Sequence, residues 1–404
     1  MENVLAILLA GGLGERLYPL TRDTAKPGVP FGGVYRIIDF TLSNCINSDV
    51  RKILILTQFK SLELHRHIRH GWNILSPELD EYIEIIPPMK RAGESDWYLG
   101  TADAVYQNIA SIESERPDHI LILSADHIYK MNYGHMIDTH RSREACVTIA
   151  TTQVVPEEAS RFGVVQIDPD FRIYGFEEKP THRNPMRSAF NPEMISVSMG
   201  IYAFETEVLL EELKCDAENP KSAHDFGKDI IPACLCHARN IAAYDFVDMN
   251  AKKARYWRDV GTIDAFYEAN MDLCAVTPEF NLYDEKWPVH VRTMQQPPAK
   301  FVFADAGLRM GFAIDSIVSA GCIISGGRVL HSVLSPGVRV HSYTEIEHSI
   351  LMPNVSVGRY SRVRKAILDQ GVSLPQNSQV GFDADADREK GYLISDGGVT
   401  VVPA

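Results

Sequence analysis

The chain has 404 residues, 45% hydrophobic and 23% charged, the balance of a globular protein long enough for two or three domains. Its net charge of −13 excludes a general binder of nucleic acid or anionic membrane, so phosphate-binding charge must be gathered locally in a site. Seven scattered cysteines match no zinc spacing, no apolar run reaches membrane-spanning length, and the N-terminus lacks signal-peptide architecture, so a reducing, cytoplasmic setting is expected.

The first element is an apolar strand, Val4 to Leu9, running into Ala10-Gly11-Gly12-Leu13-Gly14-Glu15-Arg16-Leu17. Glycines there let backbone N–H groups approach an anion with no Cβ in the way. A helix is expected to begin at once, adding its free N–H groups and positive dipole end. Arg16, and then Lys26 of Ala25-Lys26-Pro27, supply full charges for a triphosphate. A dinucleotide fingerprint would need glycine at Leu17, and a Walker A loop would need Gly-Lys-Ser/Thr; neither is present. The competing reading is a glycine-rich turn with no ligand, and the two basic residues decide for phosphate.

Up to about residue 275, strand-length apolar runs such as Ile53–Leu56, Ile120–Leu123 and Val147–Ala150 alternate with helical patterns. Such non-alternating runs suit strands buried on both faces of a mostly parallel sheet, an α/β fold with ligands at the carboxyl ends of its strands. A helix is expected over Ala102 to Ile112, with Thr101 as its N-cap. His65-Arg66-His67-Ile68-Arg69-His70 reads as a solvated helix face rather than a metal or nucleic-acid patch.

The run Ile120–Leu123 ends in Ser124-Ala125-Asp126-His127, and a second aspartate, Asp259, stands in Trp257-Arg258-Asp259-Val260-Gly261-Thr262. Taken singly, each is more often a turn or cap residue; beside a polyphosphate the pair becomes a Mg²⁺ site. Phe176-Glu177-Glu178-Lys179-Pro180 places an acid and a lysine at a strand end, where Pro180 stops the strand. A surface ion pair of little energetic value is one reading. The other is Lys179 gripping the phosphate of a second substrate, with Gly163 giving close backbone approach and Ser198 a hydroxyl. Asp225-Phe226-Gly227 is the kinase tripeptide, but no other kinase motif accompanies it, and no role is assigned to it.

Residues 276–300, with Pro278, Pro288, Pro297 and Pro298, read as a linker. Beyond it, apolar anchors at Val318, Ile324, Leu330, Leu334, Val340, Ile346, Leu351, Val357, Val363, Leu368, Leu374 and Val380 fall mostly six apart. The signature L-x-x-[GN]-V recurs at Leu334, Leu351 and Leu368, 17 residues apart each time. A six-residue spacing marks a parallel β-helix; an antiparallel domain would need period-two alternation and regular hairpin signals, which are poor here. Arg388 and Lys390 near the end fit either an anionic-effector contact or an ordinary charged tail.

The loop Gly11-Gly12-x-Gly14-x-Arg16, Ala25-Lys26-Pro27, Arg36-Ile37-Ile38-Asp39-Phe40, Trp97-Tyr98-Leu99-Gly100-Thr101-Ala102-Asp103-Ala104-Val105, the Glu178-Lys179-Pro180 motif and Trp257–Thr262 together resemble the glucose-1-phosphate adenylyltransferases, nearly end to end. The resemblance implies a Rossmann-like nucleotidyltransferase domain over 1–275, the 276–300 linker, and a left-handed β-helix over 301–404 serving oligomerisation and regulation. It implies that Gly11, Gly12, Gly14, Arg16 and Lys26 hold ATP, with Arg16, Lys26 and Asp126 catalytic. It further implies that Asp126 and Asp259 coordinate Mg²⁺, and that Tyr98, Gly163, Glu178, Lys179 and Ser198 bind glucose 1-phosphate. The implied reaction is in-line attack of the sugar phosphate on the ATP α-phosphorus, giving ADP-glucose and diphosphate for α-glucan synthesis. Small anionic effectors and a homotetramer are implied as well. An enzyme using UTP or dTTP, and a non-catalytic regulatory subunit, are the alternatives; retention of Arg16, Lys26, Asp126, Lys179 and Asp259 argues against the second. Ala125, Asn132, Leu99 and Asp23 depart from the usual family pattern, and the last two leave the effector open.

Overall fold

The computed structural model describes the chain except residues 1–2, 89–96, 182–186, 189–190, 249–252, 293 and 306–308. A nine-stranded sheet organises the first part, in the order 173–178, 163–167, 195–205, 119–124, 4–10, 52–57, 82–86, with 147–154 and 241–245 joined beside 195–205. The strand β1 (Val4–Ala10) runs parallel to Lys52–Thr57 on one side and His119–Ser124 on the other. The long strand Ile195–Glu205 is antiparallel to its neighbours, so the sheet is mixed.

The apolar runs are non-alternating because both faces are covered. Leu5 and Ile7 enter one core with Ile120, Ile122 and Phe204, while Ala6 and Leu8 enter the opposite core with Ile53, Ile55 and Leu121. Each buried Leu or Ile contributes about 1.5–3 kcal/mol against exposure, which fixes the sheet and leaves its strand ends free for polar work.

Two local expectations are corrected. No α-helix follows β1: the chain makes a three-residue 3₁₀ turn at Glu15–Leu17, and the first α-helix is α1 (Ile37–Asn47). A single 3₁₀ turn has no aligned dipole of consequence, so an anion at the loop depends on backbone amides and on Arg16 and Lys26. The segment after Gly100 forms two short helices, Thr101–Tyr106 and Ile109–Glu115, and Gly100, not Thr101, is the cap residue. The Thr101 hydroxyl is engaged elsewhere, donating to Asp225 Oδ2 at 3.0 Å and accepting from the Phe226 N–H at 3.0 Å.

The helix α2 (Leu62–Gly71) corrects a third expectation. Arg66, Arg69 and His70 are exposed, but His67 is buried, its Nε2 2.6 Å from Asp39 Oδ1, which also accepts from the Trp72 indole at 2.8 Å. Asp39 thus receives the Arg36 backbone N–H, His67 and Trp72 together, a charged acceptor fully satisfied inside the protein.

The proline-rich segment crosses α1: Asn47 donates to the Pro288 carbonyl at 2.8 Å and the Trp287 indole to Asn44 Oδ1 at 2.9 Å. After it, three ribbons of short parallel strands stack coil on coil. Val329, Ile346, Val363 and Val380 lie in register 17 residues apart, and Ile324, Val340 and Val357 form a second column. The inward residue of its strand is Val329 rather than Leu330, which makes the interval to Leu334 five and gives coils of six, six and five. The third ribbon faces the other way on one side: Val333, Ile350, Ile367 and Val401 share a core with Phe31, Phe40, Val260 and Phe266. Arg388 and Lys390 pair with Asp385 and Asp387 around the short helix Ala384–Glu389. Among the described residues no helix is long and apolar enough to cross a membrane.

Candidate active site

The carboxyl ends of β1 and of the neighbouring strands Lys52–Thr57 and His119–Ser124 open into a cavity of about 670 Å³. Gly11 and Gly12 from the first, Gln58 from the second and Asp126 from the third form part of its wall, the position where a sheet of this kind receives its ligand. Tyr98, Glu178 and Lys179 line the other side. A smaller adjoining cavity of about 200 Å³ brings Arg16, Asp126, Gly163, Ser198 and Asp259 together with Glu178 and Lys179.

Lys26 is the pivot between them. Its ammonium donates to Asp126 Oδ2 at 2.7 Å and to Asp259 Oδ1 at 3.2 Å, although these partners lie 100 and 233 positions away in the sequence. Burial works against the Lys26 charge, and the two carboxylates outweigh it, holding the ammonium above its ordinary range. Burial likewise pushes the Asp126 carboxyl up, but Lys26, His127 and the hydrogen bonds from Lys26 and Ser124 hold it well below the usual carboxylate range. Asp259 arrives on a short strand, Trp257–Asp259, paired antiparallel with His127–Tyr129, so register fixes Asp259 opposite His127. Ligand atoms of Asp126, His127 and Asp259 lie within 4.8 Å of one another.

Glu178 is seated between two glycines. A Cβ on Gly163 would stand 2.9 Å from its Oε2 and a Cβ on Gly227 only 2.5 Å, so neither position tolerates a side chain while the carboxylate keeps its place. Lys179, in a left-handed conformation with φ 46°, reaches Glu178 Oε1 at 2.8 Å and is anchored by its N–H to the Phe162 carbonyl at 3.1 Å. Lys179 is more than half exposed and Glu178 is not, which leaves the ammonium facing the cavity. Ser198 Oγ receives the Gly200 N–H at 3.1 Å. The Tyr98 hydroxyl receives Asn108 Nδ2 at 3.2 Å, so Tyr98 offers the cavity its ring more than its oxygen.

Gly14 is the exception among the expected residues: it lines neither cavity. Its φ of 65° and its close approach to Thr21 and Lys26 make it the turn that brings Lys26 under the loop. Four contributors lay outside the expected set. His127 and Arg161 line the smaller cavity, and Gln58 and the Asp225-Phe226-Gly227 turn line the larger. His127 directly follows Asp126, and the tripeptide was visible as a motif but was compared only with kinases.

The sequence matches the Nucleotidyl transferase family model over residues 5–276 and the GlmU-like, C-terminal hexapeptide model over residues 297–402. The glucose-1-phosphate adenylyltransferase of Koribacter versatilis (strain Ellin345) is 56% identical over 403 residues, covering 100% of this chain and 95% of its own length. That of Rhodopirellula baltica is 50% identical over 405 residues, covering 100% and 90%, and that of Shewanella sp. (strain ANA-3) is 48% identical over 402 residues, covering 99% and 94%.

Proposed function

This chain belongs to the glucose-1-phosphate adenylyltransferases and makes ADP-glucose, and from that premise we propose how its two joined cavities carry the reaction. The larger cavity receives ATP, with its phosphates against the Gly11-Gly12 amides and Lys26 and extending to Arg16 of the adjoining smaller cavity. The smaller receives glucose 1-phosphate, with its phosphate on Lys179 and its sugar against Glu178, Ser198 and the Gly163 backbone, reaching the Tyr98 ring on the wall of the larger cavity.

Asp126 and Asp259 are the residues that hold a cation, and Mg²⁺ suits them: two hard oxygen donors close enough to share one ion, beside the cavity, already compensated by a cation in Lys26. His127, a nitrogen donor, is left out of that set. Bound there, Mg²⁺ supplies charge neutralisation at the α-phosphate and the departing diphosphate. The sugar phosphate is an anion at neutral pH, so no residue need act as general base. The chain's own contribution is positioning and cationic charge, from Arg16 and Lys26 on the nucleotide and Lys179 on the acceptor phosphate. The observation that carries this reading is Lys26 bridging two carboxylates where both cavities meet.

Beyond chemistry, the β-helix is read as the oligomerisation element of a homotetramer, supported by apolar side chains left exposed on it at Phe301, Ile314 and Phe382. The seven cysteines are all free, which fits a cytoplasmic enzyme, and small anionic effectors remain the expected regulators. The test is diphosphate release with glucose 1-phosphate and Mg²⁺, comparing ATP, UTP and dTTP. A strong ATP preference is expected; release with UTP or dTTP at comparable rates would overturn the assignment of the larger cavity.

A further inference from the structure

One cation of the smaller cavity has no part in the scheme above. Arg161 ends a 3₁₀ segment, Pro156–Arg161, two residues before Gly163. It is about one-third exposed, and its two nearest acids, Glu158 Oε1 and Asp259 Oδ2, both stand at 3.7 Å, beyond hydrogen-bond length. Among the described residues its guanidinium makes no hydrogen bond, only these two long ion pairs, so its N–H donors remain available beside Lys179 in the smaller cavity.

It is nonetheless held in place. The guanidinium lies over the Phe162 ring at 5.4 Å, and Phe162 leans on Trp257 at 5.2 Å, itself packed against His127 at 5.0 Å. A planar cation on an aromatic shelf is pre-ordered for a two-point grip on phosphate at little entropic cost. The Phe162 carbonyl that anchors Lys179 follows directly, so Arg161 and Lys179 are tied to one short stretch of backbone and line the same cavity. Lys26 already compensates Asp126 and Asp259 from the other side.

We propose that Arg161 is a second phosphate-binding cation for glucose 1-phosphate, acting with Lys179. This rests on the assignment of the smaller cavity to the sugar phosphate. Its charge meets the dianion where the nucleophilic oxygen must be aimed, so its loss should weaken capture of the sugar phosphate more than that of ATP.

The experiment is a steady-state comparison of Arg161→Ala, Arg161→Lys and Lys179→Ala with the parent enzyme, varying glucose 1-phosphate, ATP and Mg²⁺ in turn. Arg161→Ala is expected to raise KM for glucose 1-phosphate about tenfold or more, the loss of a charge-assisted hydrogen bond, with KM for ATP and the Mg²⁺ requirement within about twofold. Arg161→Lys should recover part of that loss, keeping charge without the fork. An unchanged KM for glucose 1-phosphate in Arg161→Ala, with a raised one in Lys179→Ala, would overturn the role of Arg161 and leave the cavity assignment standing. A shift confined to ATP or Mg²⁺ would overturn it too, because Arg161 would then act only through Asp259. If neither alanine variant moves KM for glucose 1-phosphate, the cavity assignment itself fails.

Discussion

Inside the β-helix, buried hydroxyls such as those of Ser332 and Ser349 are consumed by the backbone. Ser332 Oγ donates to the Leu330 carbonyl at 2.7 Å and accepts from the Ser349 N–H at 3.1 Å; one coil on, Ser349 Oγ repeats the pattern with the Glu347 carbonyl and the Ala366 N–H. At the end of the central sheet the buried polar group is a charge, and it is satisfied by charge: Lys26 by the partly exposed Asp126 and by Asp259. The first arrangement closes on itself and stores only stability. The second is balanced without being closed, since Arg16, Arg161 and Lys179 face a cavity with donors to spare. A region made for stacking spends its hydrogen bonds on its own repeats, and a region made for ligands keeps charge in reserve.

The sharpest way to break that contrast is Asp126→Asn. The substitution keeps shape and removes the charge that Lys26 uses and that the proposed cation would use, so kcat should fall about 10³-fold or more, roughly 4 kcal/mol at the transition state. Circular dichroism should show the parent fold. Near-parent turnover would mean that Asp126 does not hold the metal.

A pair of alanine substitutions in adjacent residues tests whether the two regions are independent. Leu368 points into the β-helix interior, and Ile367 into the core shared with Phe266 and Val260, the residue after Asp259. Each truncation of these fully buried side chains should cost about 2–5 kcal/mol, read as a lower thermal midpoint. At a temperature where both variants remain folded, Ile367→Ala should also lower kcat/KM several-fold, while Leu368→Ala stays within about twofold of the parent. Equal kinetics for the two would show that packing at the junction does not reach the site.

The same contrast governs how much was legible in the sequence. Apolar spacing gave away the β-helix because its six, six, five rhythm is written in Val329, Leu334, Val340, Ile346 and Leu351, one core residue per strand; only Leu330 was misjudged, as the outward neighbour of Val329. The non-alternating runs likewise betrayed strands covered on both faces. A glycine loop at the end of β1 was legible, and Gly11 and Gly12 line the cavity there; the 3₁₀ turn in place of the expected helix agrees with Pro19, which has no N–H to continue a helix three residues after Arg16. His67 reads as solvated from sequence because nothing local shows that Asp39, 28 residues away, waits inside for it. Arg161 and Gly227 share that difficulty: their partners, Asp259 and Glu178, are distant in sequence and meet them only when the sheet is assembled.

Acid sensitivity should also divide along this line, with a smaller effect. His140 is buried in the catalytic part, its Nδ1 2.8 Å from Thr148 Oγ1 and its ring 5.1 Å from that of His119. Burial, then His119 and Arg141, lower its pKa from 6.5 to about 4. A histidine held neutral in the fold but protonated when unfolded removes stability as pH falls from about 6.5 toward 4, up to roughly 3 kcal/mol, and has no effect above that window. Asp126, depressed instead, keeps its contribution until pH falls below the ordinary carboxylate range. Urea midpoints at pH 7.5 and 5 should therefore separate in the parent and draw together in His140→Gln, which retains a polar partner for Thr148. An undiminished separation would place the acid-sensitive group elsewhere.

The smallest effect is expected on the outside of the solenoid, where Glu345 takes Arg328 from the coil before it and Arg362 from the coil after it, both at 3.2 Å. Arg328 and Arg362 are about half exposed, so Coulomb attraction is screened by water and offset by the entropy of three long side chains. Glu345→Ala should change unfolding stability by less than about 1 kcal/mol, and salt should shrink even that. A larger loss that grows as the protein is diluted would carry a different meaning. The ladder would then lie between two copies of the chain, shielded from solvent, and removing Glu345 would leave two arginines stranded in an interface rather than on a wet surface.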